Sequence, residues 1–426
     1  MSESTPPAGD VRVRPGGAAG LGASLARNLS MLSVSQAVGL VLSLVSVKLL
    51  AEALTVPQFG VFTYVFSVLS LVLAAADPGL TTTLVRDLAQ APARTGFLIE
   101  RALGLKLTSA ALVVALSWVV AWFTFDGPVL VAWLIISAIV PLQAFGVTTA
   151  VLQARVAIKR GVAAELVNRL TGFAALVLAL TLGFGLYGAV GALVVGEVAG
   201  LIAVTALTWQ FARPRPRVDL VQWRYFVRGT LTVGGAAILA TLVNRVDFLM
   251  LERMTDLETV GYYGAAYRLP LLLERLPALA LATVFPLMSR LADTDRTELA
   301  AVYRWSVQRA AMVAVPVVAV VYAGAPWLLP WWTTEEFLPG VPALRWLILA
   351  TGCIYLAVVA GHLLIAIRQT RISLAIWLVA APLNISLNWW WIPVHGATGA
   401  AAATFVTYAV VMTASLWASH RCLANR

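Results

Sequence analysis

The chain has 426 residues, of which 60% are hydrophobic and 12% charged, with a net charge of +10. A soluble globular protein carries roughly 25% charged residues, so half that share calls for a bilayer as solvent. The basic residues lie between apolar runs and form no single patch, which argues against a nucleic-acid partner.

Residues 1–28 are rich in Pro and Gly and lack the short apolar core of a cleavable signal, so they read as a flexible cytoplasmic tail. A bilayer-crossing helix needs about 20 mostly apolar residues. An N-terminal bundle, 29–210, supplies six candidates near 30–53, 60–80, 103–124, 129–153, 162–182 and 187–208. The second of these opens on Phe59-Gly60-Val61-Phe62 and the sixth on Gly188-Ala189-Val190-Gly191-Ala192. Residues 211–227, with Arg213-Pro214-Arg215-Pro216-Arg217, predict a stiff, basic, extended cytoplasmic linker.

A C-terminal bundle, 228–419, supplies six more spans near 228–251, 260–285, 306–330, 341–366, 372–391 and 397–418. Its second span opens on Val260-Gly261-Tyr262-Tyr263 and its sixth on Gly396-Ala397-Thr398-Gly399-Ala400. These phrases echo those of the first half about 200 residues later, the signature of an internal repeat. Six helices per half make the repeats parallel, related by an axis along the membrane normal. The expected fold is therefore all-α and polytopic: twelve transmembrane helices in two six-helix bundles around a central cavity. Residues 420–426 form a cytoplasmic C-terminus.

Loop charge fixes the orientation. Outside the spans nearly every Lys and Arg falls in connections of one parity, including Arg86, Lys106, Lys159, Arg290 and Arg371, whereas the opposite loops hold Arg253 and Arg345 alone. Basic loops stay cytoplasmic, so both termini are predicted inside. Trp118, Trp122, Trp327, Trp331, Trp332, Trp389, Trp390 and Trp391 fall at the outer ends, where amphipathic rings favour headgroups.

Five basic residues remain inside spans: Lys48, Arg169, Arg245, Arg268 and Arg275. Each costs at least about 2.5–3.5 kcal/mol at mid-bilayer if it faces lipid, so most must face a cavity or a partner. Arg268 and Arg275 stand two helical turns apart and share a face, with Pro270 between them expected to kink the eighth span. Intramembrane acids are Asp77, Glu197, Asp247 and Glu274. Structural alternatives stand beside a cavity role: Arg169 pairs with Glu197, Arg245 and Asp247 snorkel at the outer face, and Lys48 does the same. A cavity with more cations than anions suits phosphate, which guanidinium grips bidentately. A buried acid beside it suits a coupling cation or proton. The lone Cys353 and Cys422, and the scattered His362, His395 and His420, form no metal site, and no P-loop or zinc motif marks a cofactor.

Four stretches carry a family resemblance: Phe59-Gly60-Val61-Phe62 with Asp77-Pro78-Gly79-Leu80 and Leu84-Val85-Arg86; Asp247 with Val260-Gly261-Tyr262-Tyr263 and Ala266-Tyr267-Arg268-Leu269; Phe285-Pro286 with Ser289-Arg290-Leu291; and Ile392-Pro393 with Gly396-Ala397-Thr398-Gly399-Ala400. In their order and placement the chain resembles the polysaccharide-transporter branch of the multidrug/oligosaccharidyl-lipid/polysaccharide exporter superfamily, which includes Wzx-type oligosaccharide flippases. It departs at Pro78, where the family more often has an aliphatic residue, and at Trp331 to Phe337, which lacks a common glycine.

The resemblance implies a non-enzymatic carrier of the bacterial cytoplasmic membrane. Such a carrier moves a polyprenyl-pyrophosphate-linked oligosaccharide between leaflets by alternating access, with membrane lipid and glycan polymerases or glycosyltransferases as partners. On that basis Arg268 and Arg275 are expected to receive the pyrophosphate, with Arg245, Arg169 and Lys48 as lesser candidates. Asp247, Glu274 or Glu197 would couple transport to a cation, H+ or Na+. The rival readings are a cation-coupled drug exporter of the same fold and a membrane polymerase or ligase of lipid-linked sugars, which usually needs a sizeable external loop.

Overall fold

The computed structural model describes residues 17–77, 80–90, 94–154, 158–209, 215–219, 223–224, 226, 235 and 237–424. Residues 1–16 of the expected tail, Pro78 and Gly79, and most of the start of the seventh span lie outside them. Apart from short connections, the described residues are helical and contain no strand.

In the first half, α1 (Gly17–Ala53) turns into α2 (Val56–Ala76) through Thr55. The Thr55 hydroxyl accepts from the Gln58 backbone N–H while Gln58 caps the Thr55 N–H in return, a reciprocal capping box. The short α3 (Leu80–Gln90) and the long α4 (Thr95–Thr124) follow. The fourth crossing is broken into α5 (Gly127–Ile136), α6 (Ile139–Ala144), a 3-10 turn (Phe145–Thr148) and α7 (Thr149–Ala154). Next come α8 (Ile158–Thr181) and α9 (Gly185–Thr208). Gly183 and Gly185, with φ of 80° and 52°, turn the chain between them in the left-handed region that L side chains avoid.

The second half begins with α10 (Val246–Met254), α11 (Leu257–Leu273), α12 (Arg275–Thr294) and α13 (Arg296–Trp332). After a 3-10 segment (Glu335–Gly340) come α14 (Val341–Ala366) and α15 (Thr370–Ala424). Gly396, at φ 51°, breaks α15 into two crossings. Among the described residues nine helices are long and apolar enough to cross a membrane. The last of these holds two crossings, and the charged, broken α11–α12 and the partly described seventh span supply the others, giving the twelve of the expected architecture. Large apolar side chains such as Leu112, Phe123 and Val315 remain exposed around the bundle, as lipid-facing positions require.

The eighth crossing corrects one expectation. The bend falls at Glu274 and not at Pro270: α11 ends at Leu273 and α12 starts at Arg275. Pro277, rather than Pro270, accounts for the position of the break. It has no N–H to offer the Leu273 carbonyl, and that carbonyl instead accepts the Tyr355 hydroxyl at 2.8 Å. Arg268 and Arg275 therefore stand on either side of the bend, and both reach one cavity.

The halves meet along α2 and α11, near the helix starts. A side chain at Gly60 would run into the Leu257 backbone, with the Gly261 N–H 3.1 Å away, and one at Gly261 would meet Val56. Phe59 packs edge-on against Phe337 at 5.2 Å. At the same end Lys48 Nζ donates to the Trp331 carbonyl at 3.0 Å and Arg253 donates to the Thr124 carbonyl at 2.8 Å. The linker instead docks on the first half. Arg217 pairs with Glu100 at 3.2 Å, Asp219 with Arg101 at 2.5 Å, and Trp223 Nε1 donates to the Arg101 carbonyl at 3.1 Å.

Two further expectations change. Trp332 is buried at 3% exposure, its indole N–H directed at the Ala265 carbonyl 3.4 Å away, while Trp122 and Trp390 are exposed as expected. Lys106 is no loop residue: it is buried in α4 and pairs with Asp77 at 2.8 Å. Asp77 also accepts from the Leu80 N–H at 2.9 Å and the Thr81 hydroxyl at 2.9 Å, so this intramembrane acid caps α3.

Candidate functional site

Below the α2–α11 contact the halves part around a cavity of about 430 Å3. Helices α1, α2, α8 and α9 form one wall, and Arg268 and Arg275 reach it from the other half. Arg169, Asn168, Ser43 and Ser46 add the remaining polar surface. Among the described residues the cavity is lined by three guanidinium groups and no carboxylate.

Each arginine is held differently. Arg268, half-buried on α11, lies over the ring of Phe66 with its guanidinium carbon 5.5 Å from the centroid. Arg245 immediately precedes α10 and sits 5.7 Å from the Phe66 centroid and 5.6 Å from that of Tyr267. A void of about 10 Å3 joins Arg245 to Arg268 past Phe66. Arg275 opens α12 and is exposed toward the cavity. Among the described residues none of these three has a carboxylate within 4.0 Å. These cations thus lack a contacting carboxylate among the described residues inside a bilayer, where an isolated cation is costly.

Arg169 does not pair with Glu197. It pairs with Glu165 one turn earlier on α8, and its guanidinium occupies the space where a side chain on Gly39 of α1 would lie. Helical spacing of four brings Glu165 and Arg169 together before any neighbouring helix can compete. Glu197 instead accepts from Asn168 Nδ2 at 3.0 Å and faces a second cavity of about 490 Å3 behind α8. Lys48 lies at the sealed end, bonded to the Trp331 and Thr333 carbonyls and 3.5 Å from Glu52, and does not join the cluster.

The remaining acids belong to the second half. Asp247 is fully buried, not snorkelling; it accepts from the Tyr263 hydroxyl and, at 2.8 Å, from the Phe248 N–H. Glu274 sits at the α11–α12 break. Around them runs a polar network on apolar spans that the sequence reading passed over. Asn244 accepts from Tyr408 at 2.5 Å and from Tyr267 at 3.4 Å. Asn384 donates to Thr407 at 3.1 Å and accepts from Asn388 at 3.0 Å. Asn388 Oδ1 is buried without a hydrogen-bond partner among the described residues. Amides at positions 384 and 388, one turn apart on an apolar span, were the available signal.

A family model described as "Polysaccharide biosynthesis protein" matches residues 49–342. No curated protein matches the chain by sequence. Among solved structures the chain is similar to one described as "Lipid II flippase MurJ, inward closed conformation", with a TM-score of 0.75 and 13% identity over 91% of this chain and 86% of that one. It is also similar to an inward-facing multidrug resistance MATE family transporter of the MOP superfamily (TM-score 0.73, 15% identity, 93% and 98% covered). A third is a MOP superfamily transporter from Pyrococcus furiosus (TM-score 0.66, 14% identity, 93% and 95% covered). These likenesses are of fold.

Proposed function

The chain belongs to the polysaccharide biosynthesis protein family, and from that footing we propose that it is a flippase for a polyprenyl-pyrophosphate-linked oligosaccharide. The observation that carries this reading is that Arg268 and Arg275, without contacting carboxylates among the described residues, line a cavity between the two halves, with Arg245 beside Arg268 across the small void at Phe66. A pyrophosphate brings two adjacent anionic groups, each able to accept paired guanidinium hydrogen bonds. Its binding would supply the missing charge. Arg169 joins once it leaves Glu165.

The sugar and pyrophosphate would travel in the cavity while the polyprenyl tail stays in lipid, since moving the head through hydrocarbon costs several kcal/mol per unsatisfied polar group. The basic loops orient the sealed α2–α11 end outward, so the described state receives substrate from the cytoplasmic side. Rocking of the halves about that contact then exposes the cavity to the other leaflet. Asp247 and Glu274 in the second half, and Glu197 in the first, are the groups available to take up H+ or Na+ during the cycle. A drug cation would find three like charges on the cavity wall, which disfavours the exporter reading.

Deletion of the gene, followed by analysis of lipid-linked sugars, tests the proposal. Accumulation of a polyprenyl-pyrophosphate glycan on the cytoplasmic leaflet is expected. Unchanged glycan lipids in both leaflets would overturn it.

A further inference from the structure

Among the described residues, Phe66 is the ring that both Arg245 and Arg268 face at the cavity, at 5.7 and 5.5 Å. It stands on α2, in the half opposite both arginines. Tyr267, the other ring against Arg245, occupies the same place in the second repeat, six residues beyond Gly261 as Phe66 is six beyond Gly60. Two repeat-related rings therefore clasp one guanidinium across the boundary between the halves.

The clasp faces a competitor. Arg245 is electrostatically coupled to Asp247, Glu274 and Arg268, none of them in contact with it. Asp247 already accepts two hydrogen bonds, whereas Glu274 accepts none among the described residues. A guanidinium with no ring to lie on would gain most by turning to Glu274. That move would neutralise it and withdraw it from the cavity.

We infer that Phe66 is a positioning residue: its π face holds Arg245 and Arg268 toward the cavity, and Arg245 away from Glu274, keeping both available to an anionic ligand. A cation over an aromatic face is stabilised modestly but without neutralisation, and its N–H edge stays free, so a phosphate binds that edge while the ring contact persists. A carboxylate on that edge would have to be displaced first. This inference rests on the anion-binding reading above and adds the group that keeps that site open.

The test uses the purified full-length protein in lipid nanodiscs with inorganic pyrophosphate as probe, read by calorimetry. Phe66→Leu is expected to weaken binding about three- to thirty-fold, the range that cation–π stabilisation covers. Phe66→Tyr and Phe66→Trp, which keep a π face, are expected to bind as the unmodified protein does. The double variant Phe66→Leu, Glu274→Gln is expected to regain most of the lost affinity, because the competing acid is gone; a mere packing defect would not be rescued. Loss of binding in Arg268→Gln, Arg275→Gln together with unchanged binding in Phe66→Leu would overturn the role of Phe66 alone. Equal losses in Phe66→Leu and Phe66→Trp, or no rescue by Glu274→Gln, would also overturn it. Absence of pyrophosphate binding to the unmodified protein would instead overturn the anion site itself.

Discussion

Gly60 and Gly261 sit against one another's helices in a reciprocal way: Gly60 faces the Leu257 carbonyl and Gly261 faces the Val56 carbonyl. Each glycine thus meets the residue one turn before its counterpart. The repeat seen in the sequence is the surface on which the halves touch, and its symmetry axis passes between these two backbones.

Substituting either glycine should therefore harm the protein equally. Gly60→Val and Gly261→Val are each expected to destabilise the fold by about 1–3 kcal/mol, the usual cost of overpacking. Gly191→Ala is the control, since nothing lies within 4 Å of a Cβ there; it should be neutral or stabilising by up to about 1 kcal/mol. Thermal unfolding in detergent checks all three.

The break in the eighth crossing depends on a carbonyl that Pro277 leaves without a donor. Tyr355→Phe should cost about 0.5–1.5 kcal/mol in the unmodified protein, the net worth of one hydrogen bond. In a Pro277→Ala background the same change should cost almost nothing, because the substituted residue supplies the N–H that proline lacks. A double-mutant cycle measured by unfolding reads the coupling.

Asp247 is buried with Tyr263 as its side-chain donor. Tyr263→Phe should cost about 1–3 kcal/mol by leaving a buried acceptor without its partner. Combining it with Asp247→Leu should cost less than the two separate losses added together. Asp247→Asn keeps the shape and removes the charge. It is expected to leave pyrophosphate binding within about twofold while abolishing any stimulation of transport by an imposed Na+ or H+ gradient.

The linker is fixed to the first half more by backbone fit than by charge. Removing the exposed Arg217–Glu100 pair with Glu100→Gln should change stability by less than about 1 kcal/mol. Gly104→Val is expected to eject the linker, since a side chain there meets the Arg217 backbone. Limited proteolysis between residues 215 and 226 should be faster in Gly104→Val and unchanged in Glu100→Gln.

Much of this architecture was readable in advance because it follows from local rules. Spans follow from apolar length, and the repeat follows from the glycine phrases around Gly60 and Gly261. The cavity positions of Arg268 and Arg275 followed from the cost of leaving them in lipid. What escaped depended on competition between neighbours. Whether Pro270 or Pro277 breaks a helix turns on which stranded carbonyl finds another donor, and Tyr355 is far from Leu273 in sequence. Arg169 pairs with Glu165 and not with Glu197 through i,i+4 spacing, a local signal that competes with every interhelical pairing. Phe66 carries no charge, and nothing local marks it as a partner of arginines in the other half. Trp332 reads as an interfacial residue until the end of α13 is packed against α11.

The proposed function has cationic groups between the halves carry a pyrophosphate-linked glycan. It is tested most directly by the rate at which a fluorescent polyprenyl-pyrophosphate oligosaccharide crosses proteoliposomes containing the purified protein. Arg268→Gln, Arg275→Gln is expected to slow translocation at least about tenfold, the loss of one or more charge-assisted hydrogen bonds. Arg345→Gln, remote from the cavity beside Tyr322, should leave the rate unchanged. Translocation by the double variant at the unmodified rate would contradict the account.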